Sequence, residues 1–211
     1  MYKYIFSIVL FINSICSLTA QKTSDSEVLI NNFIQSIQQS AIQTDFSITS
    51  TEKNAVHSQR FSGKLLLKGN QFYLEMDDIL VWFNGKTQWV YLKQSNEVTL
   101  TEPSEVELAE VNPVAVLSSF RTKSNLKKGS SRNPLNVKIE MTPKKKGEAF
   151  SKMEAEFIKS SGHLSHILIQ YTNGSKHEIQ LSNYRLQQQI PAGSFVFDRS
   201  KYKNVIVNDL R

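Results

Sequence analysis

The sequence predicts a mainly β fold in which one curled antiparallel sheet, an incomplete half-open barrel of about ten or eleven strands, lies under a helical lid. Three observations indicate this. Apolar residues alternate with polar ones through two long blocks of the chain, residues 43–101 and 135–181. Short turn signals join the alternating segments, so consecutive strands are antiparallel neighbours. Two segments with helical spacing lie outside the blocks.

The first helical segment follows residue 23. Ser24 and Glu27 have the spacing of a capping box, in which both side chains satisfy backbone donors at a helix start. Apolar residues then recur every three to four positions, which predicts an amphipathic helix lying on an apolar surface. The recurring residues are Val28, Leu29, Phe33, Ile34, Ile37 and Ala41. We expect Phe33 and Ile37 to belong to the lid.

The second helical segment interrupts the alternation between residues 102 and 134. Asn112-Pro113 is a favourable helix start, because a proline at the first helical position lacks an N–H that would be unpaired there. An apolar stripe of Val116, Leu117 and Phe120 follows, and we assign these residues to the lid as well. A sheet as large as the predicted one curls, and the two helices are suited to cover its concave face.

The N-terminus has the layout of a secretory signal peptide. Residues 1–20 contain Lys3, an apolar run and small residues ending at Ala20, so we expect cleavage there and one domain over residues 21–211. A lipoprotein signal that uses Cys16 is the alternative, although Ile15 is unfavourable for it. Export without any remaining thiol is typical of a bacterial periplasmic protein. Loss of Lys3 lowers the formal net charge from +6 to +5.

Much of the positive charge lies in two short runs, residues 123–132 and 144–146. Glycine, serine or proline accompanies both, so they are expected to be solvated loops. The alternative is a patch that contacts an acidic partner or lipid headgroups through Lys127, Lys128 and Arg132. The export signal argues against nucleic acid as a partner.

No catalytic or metal-binding motif is recognisable, and we expect no enzyme, no cofactor and no metal. His163 and His166 point to opposite faces if they lie on one strand. A two-residue loop before His177 leaves it far from His166 along the strand. A three-residue loop, which we favour because it opposes Ile167 to Ile179, puts the two histidines on opposite faces.

The hairpin VWFNGKTQWVY at residues 81–91 contains both tryptophans. A two-residue turn at Asn84-Gly85 would oppose Leu80 to Trp89, and its two faces would both be apolar. One face carries Leu80, Trp82, Trp89 and Tyr91, and the other carries Ile79, Val81, Phe83, Val90 and Leu92. Such a hairpin has to be covered on both sides. We predict that Leu80 and Trp89 face the concave side.

An ordered set of segments resembles the periplasmic outer-membrane lipoprotein carrier proteins, the LolA family. The set spans nearly the whole mature chain, although each segment alone is a weak signal. After the amphipathic helix come FSGKLLLK (61–68), FYLEM (72–76), NGKTQWVY (84–91), the Asn-Pro helix start, FVFD (195–198) and DLR (209–211).

The resemblance implies a monomeric, non-catalytic carrier whose apolar cavity shields lipoprotein acyl chains. It implies an inner-membrane lipoprotein-releasing complex as donor and an outer-membrane lipoprotein acceptor. The family's cavity phenylalanine matches Phe72, and we expect the cavity wall to comprise Phe72, Leu74, Met76, Leu65, Leu67, Leu80 and Trp89.

The chain departs from the family just before Phe72. The family has Lys-Arg-Pro, with an arginine that holds the lid, where this chain has Lys68-Gly69-Asn70. Lys64 or Lys68 could substitute, although lysine lacks the planar fork of arginine. The alternative function is a sensor or regulator of the same fold that binds a lipoprotein or membrane protein without ferrying it.

Overall fold

The computed structural model describes residues 24–104, 107–108, 112–187 and 189–211. The predicted signal peptide, residues 1–20, lies outside the described residues. Across those ranges, no helix has the length and apolarity needed to cross a membrane.

Within the described residues the chain forms two α-helices, α1 (Asp25–Gln39) and α2 (Pro113–Lys123). Ser24 caps α1, since its Oγ accepts a hydrogen bond from the backbone N–H of Glu27 at 3.2 Å. Asn112 caps α2, and its Oδ1 accepts from the backbone N–H of Val114 at 2.9 Å. Both helices begin where the sequence predicted.

The same ranges contain twelve strands: β1 (Ala41–Thr51), β2 (Gln59–Lys68), β3 (Gln71–Met76), β4 (Ile79–Phe83), β5 (Gln88–Leu92), β6 (Glu97–Thr101), β7 (Ser124–Gly129), β8 (Asn136–Pro143), β9 (Phe150–Ile158), β10 (Leu164–Tyr171), β11 (Lys176–Gln187) and β12 (Ile206–Asp209).

All twelve strands belong to one sheet, in the spatial order β12-β6-β5-β4-β3-β2-β1-β11-β10-β9-β8-β7. Strands β1 to β6 form one meander and β7 to β11 another, and the pairing of β1 with β11 joins them. Neighbours are antiparallel except β12, which is parallel to β6. The sheet does not close, because β7 and β12 are its edges. This confirms the predicted half-open barrel with helices over it.

The strand that the sequence did not predict is β7. Residues 123–132 were expected to be a solvated loop, and this is wrong for Ser124–Gly129, which pairs with β8. Leu126 lies opposite Met141 and packs against the core, so one apolar side chain anchors the strand. The neighbouring lysines obscure the alternation in the sequence.

The loop of the 81–91 hairpin is longer than predicted. Asn84 Oδ1 accepts hydrogen bonds from the backbone N–H groups of Lys86 (3.0 Å) and Thr87 (2.9 Å), which closes a four-residue loop. Trp82 therefore pairs with Trp89, not with Thr87. The register moves by two residues, so the two predicted sets of residues still occupy opposite faces.

The sheet carries a separate apolar core on each face. The larger core lies between the sheet and the two helices, on what we call the lid side, and includes Phe33, Phe72, Leu117 and Phe157. The smaller core lies on the outer face of β4 to β6 and includes Trp82. The chain after β11 folds back over this outer core.

The outer face of β8 and β9 carries a ladder of ion pairs. Glu154 accepts from Lys138 Nζ at 2.8 Å and from Lys152 Nζ at 2.7 Å, and Lys152 also pairs with Glu140 at 3.3 Å. Burial opposes ionisation of Glu154, but the two lysine hydrogen bonds outweigh it and hold its pKa below the usual range. The carboxylate is therefore charged at neutral pH.

Candidate functional site

The floor of the candidate site is the lid side of β2 and β3. The predicted wall residues pair across these strands, Leu65 with Leu74 and Leu67 with Phe72, and none is more than 1% exposed. Met76, at the end of β3, is half-buried and packs against the same core. These five side chains share one face, as expected from the alternation. Their role as a cavity wall stays a prediction.

Phe83 continues the floor onto β4. It lies opposite Phe72, and the two ring centroids are 5.4 Å apart. Val81 belongs to the same core, and Val90 of β5 packs against it. The sequence had grouped these three residues on one face but assigned the other face to the cavity. They therefore occupy the place that was predicted for Leu80 and Trp89.

Leu80 and Trp89 do not face the lid, so this part of the prediction is wrong. Leu80 belongs to the outer core with Trp82 and Tyr91, and Trp89 packs against that core. The ring of Phe197 covers it, 5.4 Å from Trp82 and 6.0 Å from Tyr91. Because the hairpin is apolar on both faces, the C-terminal segment, and not the hairpin itself, decides which face lies outward.

The roof of the site is formed by the predicted lid residues. Phe33 meets Phe157 of β9 edge to face, with ring centroids 5.9 Å apart. Phe120 of α2 packs on Phe150, also of β9, at 4.4 Å. The fully or nearly fully buried members of the roof are Ile30, Phe33, Ile37, Val116 and Leu117. Floor and roof belong to one continuous core of buried side chains.

The turn between β2 and β3 fastens α1 to the sheet. The backbone N–H of Gly69 donates to the carbonyl of Ile37, near the end of α1, at 2.9 Å. The two lysines suggested as latches alternate with Leu65 and Leu67 along β2, so they lie on the outer side and are exposed. The hydrogen bond to a carbonyl of the lid helix therefore comes from the backbone N–H of Gly69 and not from the side chain of Lys64 or Lys68.

A second contact joins the two lid helices. Arg121 Nη1 of α2 donates a hydrogen bond to Asn31 Oδ1 of α1. No sequence pattern links these two residues, because 90 positions separate them. The arginine thus links helix to helix.

Two clefts flank α2. One, of about 470 Å³, lies between α2, α1 and the β4–β5 turn, and its apolar lining includes Ile34, Phe83 and Val114. The other, of about 330 Å³, lies on the other side of α2 and reaches Phe120 and Phe150. One cleft therefore reaches the floor at Phe83, and the other reaches β9 and β10 at Phe150 and Ile169.

Two titratable groups stack beside Leu164. His163 stacks on Tyr184 with ring centroids 4.3 Å apart, and burial lowers its pKa. Burial also raises the pKa of Tyr184, whose hydroxyl donates to the carbonyl of Leu164 at 2.5 Å. Burial thus disfavours the charged form of both side chains.

The histidine hairpin has the predicted three-residue register, with Ile167 opposite Ile179. His166 lies opposite Gln180 and His177 opposite Ile169, so the two histidines occupy opposite faces. His166 Nε2 is 2.8 Å from Glu178 Oε1. Over the described ranges, no three His, Cys, Asp or Glu side chains are grouped so that they could hold a metal ion.

The three basic residues singled out in the sequence lie together at one edge of the sheet. Lys127 and Lys128 are on β7, Arg132 is in the turn that follows, and all three are exposed. They do not border either cleft beside α2. They are therefore separate from the apolar site.

Comparisons with known proteins concern the family and the fold of the chain. The family model "Outer membrane lipoprotein carrier protein LolA" matches residues 16–164. No curated protein sequence matches the chain. An uncharacterised conserved protein from Thermus thermophilus has a similar structure, with a TM-score of 0.56 at 12% identity over 85% of this chain and 96% of that one.

Two further solved structures are similar. A LolA superfamily protein from Nitrosomonas europaea has a TM-score of 0.45 at 11% identity, over 82% of this chain and 98% of that one. A putative outer membrane lipoprotein-sorting protein domain from Vibrio parahaemolyticus has a TM-score of 0.43 at 15% identity, over 79% and 94%. The family match covers most of the chain, and the chain accordingly belongs to the LolA family of outer membrane lipoprotein carrier proteins.

Proposed function

We propose that this protein is a non-catalytic periplasmic carrier that shields the acyl chains of lipoproteins and moves them from the inner to the outer membrane. One observation carries the proposal: the apolar face of the half-open sheet is closed by two helices, with clefts on both sides of α2. Helices can move away from a sheet without breaking its strand pairing. The proposed donor is an inner-membrane releasing complex, and the proposed acceptor is an outer-membrane lipoprotein receptor.

The continuous core beneath the helices gives a physical reason for reversible binding. Removing one CH₂ from water stabilises by about 0.8 kcal/mol, so a chain of about 14 carbons gains roughly 11 kcal/mol when it is fully buried. To enter, the acyl chain has to displace lid side chains such as Leu117, which are already buried in the core that includes the floor. The cost of that displacement offsets much of the gain, so that cargo can be released again.

We assign the moving part to α2. The helix has eleven residues and is bordered by a cleft on each side. The other helix, α1, is held by the Gly69 hydrogen bond. Displacing α2 alone would break the Arg121–Asn31 hydrogen bond, would uncover Phe83 and Phe150, and would leave α1 in place as part of the roof.

Fluorescence quenching tests where the cargo binds. Trp82 and Trp89 are the only tryptophans, and both lie on the outer face. The substitution Phe120→Trp adds an indole at the lid. A triacylated lipopeptide with bromine on its acyl chains should quench that added fluorescence strongly and that of the wild type weakly, because bromine quenches only at short range. Equal quenching in both proteins would place the cargo elsewhere.

Native mass spectrometry and depletion complete the test. The purified protein should gain the mass of one triacylated lipoprotein on mixing, and the absence of any increment would refute the carrier. Depletion from cells should strand lipoproteins in the inner membrane. If depletion instead changes a stress response and leaves lipoprotein localisation normal, the result would support the alternative function as a sensor or regulator.

A further inference from the structure

One edge of the sheet presents backbone groups without a strand partner. Strand β7 ends the strand order, so it pairs only with β8. Lys123, the residue before β7, accepts a hydrogen bond at its carbonyl from the backbone N–H of Lys144 at 2.9 Å. This bond shows which residues of β7 are hydrogen-bonded to β8. Hydrogen-bonded and non-bonded positions alternate along such a ladder. The groups that point away from β8 are therefore those of Ser124, which is buried, and those of Leu126 and Lys128, which lie further along the strand.

This edge is strongly basic along its whole length. Residues 144–146 lie beside Lys123 at one end, Lys127 and Lys128 lie in the middle, and Arg132 lies at the other end. All of them are exposed, and none belongs to an ion pair among the described residues. Glu140, which lies opposite Lys127, is paired with Lys152 instead. The positive charge is therefore available to a partner.

A cleft of about 290 Å³ lies beside the edge on the lid side. Its apolar lining is Val28 and Leu29 of α1 and Val137 of β8, and its polar lining is Lys128 together with Asp25, Ser26 and Asn32 of α1. Val28 is 42% exposed, which is high for an apolar residue on the helix. A strand added to β7 would direct alternate side chains towards this cleft and the others towards the outer face.

We infer that the β7 edge is a docking site for an extended segment of a partner protein, in which acidic residues alternate with apolar ones. The segment adds to the sheet as one further strand, with its backbone on the outward groups of β7. Lys127 on the outer face attracts the acidic side chains, and the cleft beside α1 receives the apolar ones. An anionic membrane would use the charge alone and would leave the row of N–H and C=O groups unpaired. This docking does not depend on cargo carriage.

A designed peptide tests the inference directly. The probe is an eight-residue peptide in which glutamate alternates with valine, titrated into the ¹⁵N-labelled protein. We expect amide shifts concentrated in residues 124–129 and slower amide hydrogen exchange at Leu126 and Lys128. Salt should weaken the binding, because exposed charges are screened.

The decisive control changes the peptide and keeps its charge. N-methylation of the amides that face β7 removes the donors needed for strand pairing, so binding should be lost. Equal binding of the methylated peptide would overturn the inference, because charge alone would then explain the contact. The inference would also fail if vesicles of phosphatidylglycerol bound the protein while the peptide did not.

Matched variants place the site on the protein. Lys127→Ala removes the exposed charge on the outer face, towards which the glutamates point, and should weaken peptide binding roughly two- to fivefold. Lys128→Ala, whose side chain lines the cleft, should weaken it less. Lys128→Pro also removes an outward N–H, which an edge strand tolerates, and should weaken binding about fivefold relative to Lys128→Ala. Lys64→Ala, on a strand paired on both sides, should have no effect. Equal affinities of the alanine and proline variants at position 128 would refute strand addition.

Discussion

Asn112 offers the sharpest test of an independently mobile lid. Its side chain is 2% exposed, and Oδ1 accepts hydrogen bonds from the N–H groups of Val114 at 2.9 Å and Ala115 at 3.4 Å. The substitution Asn112→Ala leaves both donors unpaired at the start of α2. Loss of such a cap costs about 0.5–2 kcal/mol, and burial places this site in the upper part of that range.

The expected effect follows from that cost. If α2 opens as a unit, the free energy of its opening falls by about 1–2 kcal/mol. Amide hydrogen exchange within α2 should then accelerate roughly five- to thirtyfold, since 1.4 kcal/mol is a factor of ten. The amides of β9 and β10 should keep their rates. Exchange measured by NMR, or by mass spectrometry of short peptides, distinguishes the two regions.

Asn112→Ser is the matched control, because serine is also a good N-cap. It should restore most of the slow exchange in α2. If α2 and the strands accelerate by the same factor in Asn112→Ala, the lid opens only with global unfolding and the reasoning is refuted. Unchanged exchange in α2 would equally show that the cap does not limit its opening.

Three further outcomes are expected. Trp82→Ala should lower the free energy of unfolding by about 3–5 kcal/mol in urea, because it empties the outer core, and a loss below about 1 kcal/mol would contradict that core. The ionised Glu154 should stabilise the folded protein fully above its ordinary pKa of 4.5. This stabilisation should be lost as the pH falls through the lowered pKa of Glu154 in the folded state. The difference in urea stability between wild type and Glu154→Gln should therefore shrink from pH 7 to pH 3, and a constant difference would contradict it. Gly63→Ala would bring the new Cβ within 1.9 Å of the Glu75 carbonyl oxygen and should lower the free energy of unfolding by about 1–3 kcal/mol. For Gly69→Ala, no atom beyond the two chain neighbours lies within 4 Å of the new Cβ, and the backbone has φ +59°. Only about 1 kcal/mol of backbone strain is expected there. Equal melting temperatures for the two glycine variants would contradict the steric argument.

The alternation of residues 65–76 predicted the floor because each apolar position there has a polar or exposed neighbour. Only one face of such a strand can be buried, so the faces are determined locally. The same holds for the histidine hairpin, where opposing Ile167 to Ile179 selected the observed register. Helix starts at Ser24 and Asn112 were predictable for a similar reason, since a cap acts within three residues.

The face of the 79–92 hairpin was not predictable in this way. Both of its faces are apolar, so the period of two cannot decide which one is covered by the lid. The decision depends on Phe197 and Tyr202, which pack on Trp82 from more than a hundred positions away. Strand β7 was missed for a different reason: Lys127 and Lys128 adjoin its one core-facing leucine and make the segment resemble a loop.

The two covers of the sheet differ in a way that matters for a carrier. The outer core is built from aromatic rings in mutual contact, including the pair Tyr91 and Tyr202 with centroids 4.5 Å apart. On the other face, Val116 and Leu117 of α2, a helix flanked by clefts, belong to the large core. The outer core shares none of its residues with the roof, so the proposed movement of α2 would leave the outer face of β4 to β6 covered. The sheet would then stay folded while the lid opens, which is the condition that the proposed reversible loading of an acyl chain requires.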